Sequence, residues 1–139
     1  RCRRGSRRHL LAPSYGAAMH DRQQLGAHGE ALAADHLRDA GHEILHRNWR
    51  TSVEGVRGEL DLVTRDGDTL VVVEVKTRRS TRAGTASEAV GWQKRRRLRR
   101  LTGLYLAEHP HRGPVRGDVV ALDLDDDGRW AITHHRGVW

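Results

Sequence analysis

Asp61 stands thirteen residues before the tripeptide Glu74-Val75-Lys76, so an acid, a gap and then acid-x-Lys follow one another along the chain. Two carboxylates and an ammonium in that order suit metal-assisted phosphodiester hydrolysis. The acids would hold a divalent ion, and the lysine would orient water or offset charge in the transition state. The choice of lysine is itself informative. Of 25 lysines and arginines only two, Lys76 and Lys94, are lysine. In a chain that otherwise meets every need for positive charge with arginine, they mark places where a compact ammonium serves better than a planar fork. Acid-x-Lys alone reads more readily as a surface face with paired charges, Lys76 and Arg57 supplying the cations. The weight shifts toward chemistry because Asp61 precedes it, Gly58-Glu59 leads into Asp61, and a hydrophobic strand surrounds it.

Regular elements must position these groups. Leu25, Gly29, Leu32, Ala33, Leu37 and Ala40 recur at helical spacing from Asp21 to Ala40, and Gly41 can end that helix. Glu43–Arg50 reads as a first strand, 51–56 as a loop and Gly58–Thr64 as a second strand. Asp66-Gly67 is a two-residue hairpin signal. Thr69–Thr77, rich in valine on both faces, reads as a central, doubly covered strand. Thr85-Ala86-Ser87-Glu88 has the form of a capping box opening a helix that pauses at Gly91 and runs to about Glu108. Val115–Leu124 and Arg129–His135 are strands around the turn Asp125–Gly128. The sequence therefore predicts one α/β domain with a mixed central sheet of about five strands flanked by helices.

Counting outward from an Asp66-Gly67 turn pairs Asp68 with Arg65, Val72 with Asp61 and Glu74 with Glu59. Strand side chains alternate, so Glu59, Asp61, Glu74 and Lys76 are expected on one face. Three carboxylates about 5 Å apart repel by several kcal/mol at an effective dielectric near 20. A cation resolves that repulsion, and hard oxygen ligands without cysteine point to Mg²⁺ or Mn²⁺. On the later helix, Leu98, Leu101 and Tyr105 form the buried stripe. This turns Lys94 inward toward the cleft and spreads Arg95, Arg96, Arg99 and Arg100 over the exposed face. With Arg78 and Arg79 after the third strand they make a patch for sequence-independent phosphate contacts, hence a nucleic-acid partner.

Charge is unevenly placed. The formal net charge is +7, yet residues 1–18 hold five arginines and no acid, which leaves +2 for the rest. Residues 1–19 read as a disordered Arg-rich extension, and 20–139 as the folded domain. The apolar run behind Arg7-Arg8 is too short for an export signal. No stretch approaches the roughly 18 apolar residues of a membrane helix, and a lone cysteine, Cys2, fits a reducing cytoplasm. His109, His111, His134 and His135 read as surface histidines. Neither a Gly-rich phosphate loop nor a Ser/His/Asp arrangement is present, and the acidic turn lacks the ligand ladder of a calcium loop.

Several motifs in order resemble the YraN family of bacterial proteins, which carries a restriction-endonuclease-like core. They are Gly26-x-x-Gly29-Glu30-x-x-Ala33, Arg47-Asn48-Trp49-Arg50, Gly58-Glu59-Leu60-Asp61-Leu62-Val63, Val73-Glu74-Val75-Lys76-Thr77-Arg78, Ala89-Val90 through Lys94, and Arg116-Gly117-Asp118-Val119-Val120. Val73 and Gly117 depart from it, since family members often carry Phe at both places. The acid, acid-x-Lys order is also similar to that of archaeal Holliday-junction resolvases, whose early helical glutamate joins the metal site. That similarity implies Glu30 as a further ligand, structured DNA as substrate and a homodimer as an assembly to test. By itself the helical pattern makes Glu30 only a boundary residue. The resemblance is equally compatible with a non-catalytic nucleic-acid-binding protein that keeps the nuclease fold.

Overall fold

The computed structural model describes residues 8–11, 22–53, 55–79 and 91–139. Its elements are β1 (Arg8–Leu11), α1 (Arg22–Asp39), β2 (Glu43–Thr51), β3 (Gly58–Asp66), β4 (Thr69–Arg79), α2 (Trp92–Glu108), β5 (Val115–Leu124) and β6 (Trp130–His135). The capping box at 85–88 lies outside the described residues, as do 1–7 and 12–19 of the expected extension. Among the described residues, no helix is long and apolar enough to cross a membrane.

The strands form one mixed sheet in the order β1-β6-β5-β4-β3-β2. Only β4 and β5 pair in parallel, and the connection between them carries α2. The α/β class, the mixed sheet and the two flanking helices agree with the sequence reading. The added strand does not. Arg8–Leu11, expected to be disordered, pairs antiparallel with Thr133–Trp130 of β6. The outer edge of β6 offers unpaired backbone donors and acceptors, and four residues satisfy them without any hydrophobic pattern long enough to read.

Each face of the sheet has its own core. Leu25, Ala33, Ala34 and Leu37 of α1 pack on Leu62, Val71, Val73, Val120, Leu122 and Ile132. On the opposite face Leu98, Leu101 and Tyr105 of α2 pack on Trp49, Leu60, Val63, Leu70 and Val72. Helix α1 stops at Gly41 (φ 93°), where the amides of Gly41 and His42 bond the carbonyls of Arg38 and Leu37. This is the double closure that a left-handed glycine permits. Gly29 lets α1 lie directly on β4, because any β-carbon there would collide with Thr77.

The β3–β4 hairpin turns on Gly67-Asp68, with Asp66 opposite Thr69 and Val63 opposite Val72. The expected turn at Asp66-Gly67 is therefore displaced. Gly67 has φ 60° while Asp68 does not, which suits a turn needing a left-handed residue only at its first central position. Pairing shifts by two residues in total.

The carboxyl end of the fold is tied by Asp118, which is fully buried on β5. Arg116 grips it through Nε (2.8 Å) and a terminal nitrogen (3.1 Å), His134 Nε2 lies 2.8 Å away, and the Gly137 amide donates at 3.0 Å. His134 is thus a buried partner, not a surface residue, and the stacking of His109 on Tyr105 likewise half-buries that ring. Both histidines gain a polar or aromatic partner that the linear pattern does not reveal. Beyond Gly137 the chain folds back, and Trp139 covers Gly117, with backbone bonds of 3.0 and 2.7 Å between the two segments. The tryptophan fills the space that a large side chain at 117 would need. Burial opposes ionisation of Asp118, but the bonds from His134 and Arg116 outweigh it and hold its carboxyl below the usual range. Its ionised form therefore stabilises the fold above the unfolded-state value, about pH 4, and that contribution fades as pH falls through the lower folded value. Asp118→Asn is expected to cost about 3 kcal/mol at pH 7, with the gap to wild type narrowing below about pH 4, as urea unfolding at the two pH values will show.

Candidate metal and nucleic-acid site

Strands β3 and β4 part company at the end of the hairpin remote from its turn. Their ladder runs from Asp66–Thr69 to Leu62–Val73, after which the Val75 amide donates to Asp61 Oδ2 (2.9 Å) instead of to a β3 carbonyl. A side chain thus closes the gap. Alternation also breaks here: Leu62 lies in the α1 core, whereas Leu60, two residues away, lies in the α2 core. Facing this break on β2 is Asn48, the one non-glycine with positive φ among the described residues (52°). Trp49 and Leu60, which pair with one another, both enter the α2 core just past it.

This irregularity rearranges the expected acidic face. Glu59, Asp61, Glu74 and Lys76 do not share one side of the sheet. Glu59 turns toward Glu30 of α1, and the Asn48 amide nitrogen, oriented to donate, reaches Glu59 Oε1 (2.7 Å) and Glu30 Oε2 (3.2 Å). Carboxylate oxygens of Glu30, Glu59 and Asp61 all lie within 4.8 Å of one another. Glu74 stays with the lysines: its Oε1 is 2.7 Å from Lys94 Nζ and 3.5 Å from Lys76 Nζ, and its side chain is only 7% exposed. Asp61 stands between the two groups. Lys94 thus reaches the cleft from α2 across the sheet face that the helix covers.

The electrostatics follow from burial and crowding. Burial first, then the neighbouring Glu74 and Glu30 carboxylates, push Asp61 up to about 8 despite the opposing Val75 bond. Burial and Glu59 likewise raise Glu30. Lys76 is lowered by burial and by Lys94 beside it, while Lys94 is raised because its bond to Glu74 outweighs burial. Two ionised carboxylates at about 5 Å repel by roughly 3 kcal/mol at an effective dielectric near 20. A cluster of carboxyl oxygens alone suits a hard cation such as Mg²⁺ or Mn²⁺, and Glu30, Glu59 and Asp61 could hold one, with Glu74 alongside.

Asn48 is the contributor that site reasoning from sequence missed. An asparagine within a strand, a residue type that strands disfavour, was the available signal. Among the arginines, Arg96, Arg99 and Arg100 are exposed on α2, Arg95 is half-buried, and Arg78 and Arg79 end β4. Arg97 instead donates to the Arg57 carbonyl (2.9 Å) and ties α2 to the approach of β3.

Fold and site together define a single-domain α/β protein with a cluster of acids and lysines where strands β3 and β4 separate. The chain belongs to the family described as "Uncharacterised protein family UPF0102", whose profile matches residues 29–122. This is the family that the motifs resemble under the name YraN. A UPF0102 protein of Kineococcus radiotolerans is 53% identical over 116 residues, covering 82% of this chain and 92% of that protein. One from Nocardia farcinica is 50% identical over 126 residues (88% and 94% coverage), and one from Frankia casuarinae 48% over 122 (87% and 100%).

Coordination requires Asp61 to give up its proton. If the cluster takes Mn²⁺, affinity is expected to rise as pH approaches the Asp61 carboxyl's value of about 8 and to level off above it. Calorimetry in buffers of different ionisation enthalpy should detect close to one proton released per ion at neutral pH, and Asp61→Asn should remove that proton.

Proposed function

We propose that this protein is a Mg²⁺- or Mn²⁺-dependent endonuclease that hydrolyses phosphodiester bonds in structured DNA. The observation that carries the reading is the convergence of the Glu30, Glu59 and Asp61 carboxylates with the Glu74–Lys76–Lys94 cluster at the parting of β3 and β4. The ion would supply Lewis acidity and a water of lowered pKa. Around it, Asn48 orients two of the carboxylates and the Val75 amide fixes the third. Lys76, its charge destabilised by burial and by Lys94, is suited to hold a nucleophilic water or to meet charge developing on phosphorus. Exposed Arg96, Arg99 and Arg100 would position the backbone without reading bases.

One contact favours a second reading, a nucleic-acid-binding protein without cleavage. Lys94 occupies an oxygen of Glu74 that a second-row ligand set would otherwise offer to a cation. Incubation with branched, single-stranded and duplex DNA plus Mg²⁺ or Mn²⁺ separates the two. A nuclease should cut at least one form, and Asp61→Asn or Glu30→Gln should lower the rate by about 10²-fold or more with DNA binding retained. Binding without cutting under every condition would leave the second reading. Lys76→Arg is expected to impair cleavage nearly as much as Lys76→Ala, because a planar fork cannot replace a point charge in a partly buried pocket. For either reading, Arg96→Ala/Arg99→Ala should flatten the salt dependence of binding by about two phosphate contacts.

A further inference from the structure

We propose that Trp92 is a stacking platform for an unpaired nucleobase, so that the nucleic acid this protein favours carries single-stranded nucleotides. This rests on the nucleic-acid reading above and names the class of substrate within it. Trp92 is 66% exposed, whereas Trp49 and Trp130 are 9% and 3% exposed. It is one of only three large hydrophobic side chains left in water among the described residues, and the only aromatic one.

Its surroundings say what should cover it. On α2, positions 92, 96 and 99 are four and seven residues apart and so lie along one stripe of the helix. Arg96 and Arg99 are both exposed. The indole therefore heads a row of guanidinium groups that spans about 10 Å at the helical rise. Lys94, about 3 Å further along the axis than Trp92, reaches through to Glu74. The same turn of α2 presents an aromatic face outward and an ammonium to the acidic cleft. A polyanion drawn to the arginines would thus be carried along the exposed side of α2 onto the indole.

The chemistry of the polyanion then narrows. Bases within a duplex are stacked on one another and offer a helix surface only groove edges and phosphates. An unpaired base has a free face, and aromatic side chains stack on it with little regard for sequence. The dense positive charge beside Trp92 disfavours an apolar protein surface as occupant and suits phosphates flanking a splayed base. Single strands, flaps, overhangs and the open centres of branched structures all satisfy this requirement. A continuous blunt duplex does not.

The test uses the full chain in EDTA, with fluorescently labelled DNA: a blunt duplex, the same duplex with a single-stranded overhang, and an oligo-dT strand. Wild type should bind the overhang and the single strand more tightly than the blunt duplex, with quenching of indole fluorescence. Trp92→Ala should weaken overhang and single-strand binding by about 5- to 100-fold, well beyond any loss on the blunt duplex, without changing the salt slope. Trp92→Phe should restore most of the loss and Trp92→Leu little, since leucine offers apolar surface without a π face. Equal loss on all three DNAs, rescue by leucine as good as by phenylalanine, or a change in oligomeric state as the only effect would each overturn the proposal. Absence of binding to every DNA would overturn it together with the nucleic-acid reading. Selective binding lost in Trp92→Ala, in a protein that cuts nothing with Mg²⁺ or Mn²⁺ added, would uphold the stacking site and reject the nuclease.

Discussion

The arrangement of the cleft depends on one hydrogen bond, from the Val75 amide to Asp61 Oδ2. A central pair of strands that simply continued its ladder would bury its backbone groups in each other and leave no space for chemistry. Here β4 keeps its full parallel register with β5 out to Arg79 while β3 departs after Leu62. A buried amide deprived of its ladder partner would cost free energy, and the Asp61 carboxylate supplies the missing acceptor. The same group that repairs the backbone is thereby fixed in a partly buried place among other carboxylates. Structural repair and electrostatic tension meet in one side chain.

That parting also explains why both helices contribute. Asn48 in its left-handed conformation and the alternation break at Asp61 turn Glu59 to the α1 side, where Glu30 waits. Glu74, on the undistorted strand, faces α2 and takes Lys94. The close approach of α1 through Gly29 and the contact of α2 with β3, where a β-carbon on Gly58 would come within 2.7 Å of Leu101, set the two helices at the height of the gap. On the neighbouring strand β5, where it pairs with Val73, Asp118 with Arg116, His134 and the Gly137 amide forms a hydrogen-bonded buried network. The contrast is physical: one carboxyl is matched by donors and lowered, the other is crowded by acids and raised.

Much of this was legible from the chain. Valine-rich β4, the apolar stripe of α1, the Gly41 stop and the end of α2 at Glu108 place these boundaries within one or two residues, because those signals are local and periodic. The inward turn of Lys94 follows from its spacing to Leu98, Leu101 and Tyr105. Less local features were not legible. Hairpin pairing moved by two residues because Gly67, not Asp66, takes the left-handed position. Strict alternation failed at Asp61, since a break facing a left-handed asparagine has no periodic trace. The pairing of Arg8–Leu11 with β6 and the burial of His134 against Asp118 depend on partners distant in sequence. The acids expected on one face are accordingly divided in the structure, with Glu74 drawn to the lysines and Glu30 brought to Glu59 and Asp61.

The central claim is that Glu30, Glu59 and Asp61 form a divalent-cation site created by the parting of two strands. Anomalous diffraction from crystals soaked in Mn²⁺ tests it most directly. A single manganese peak about 2.2 Å from oxygens of those three side chains, absent in Asp61→Asn crystals, is the predicted result. A protein saturated with Mn²⁺ whose peak lies elsewhere, or whose three carboxylates remain apart and without density between them, would contradict it.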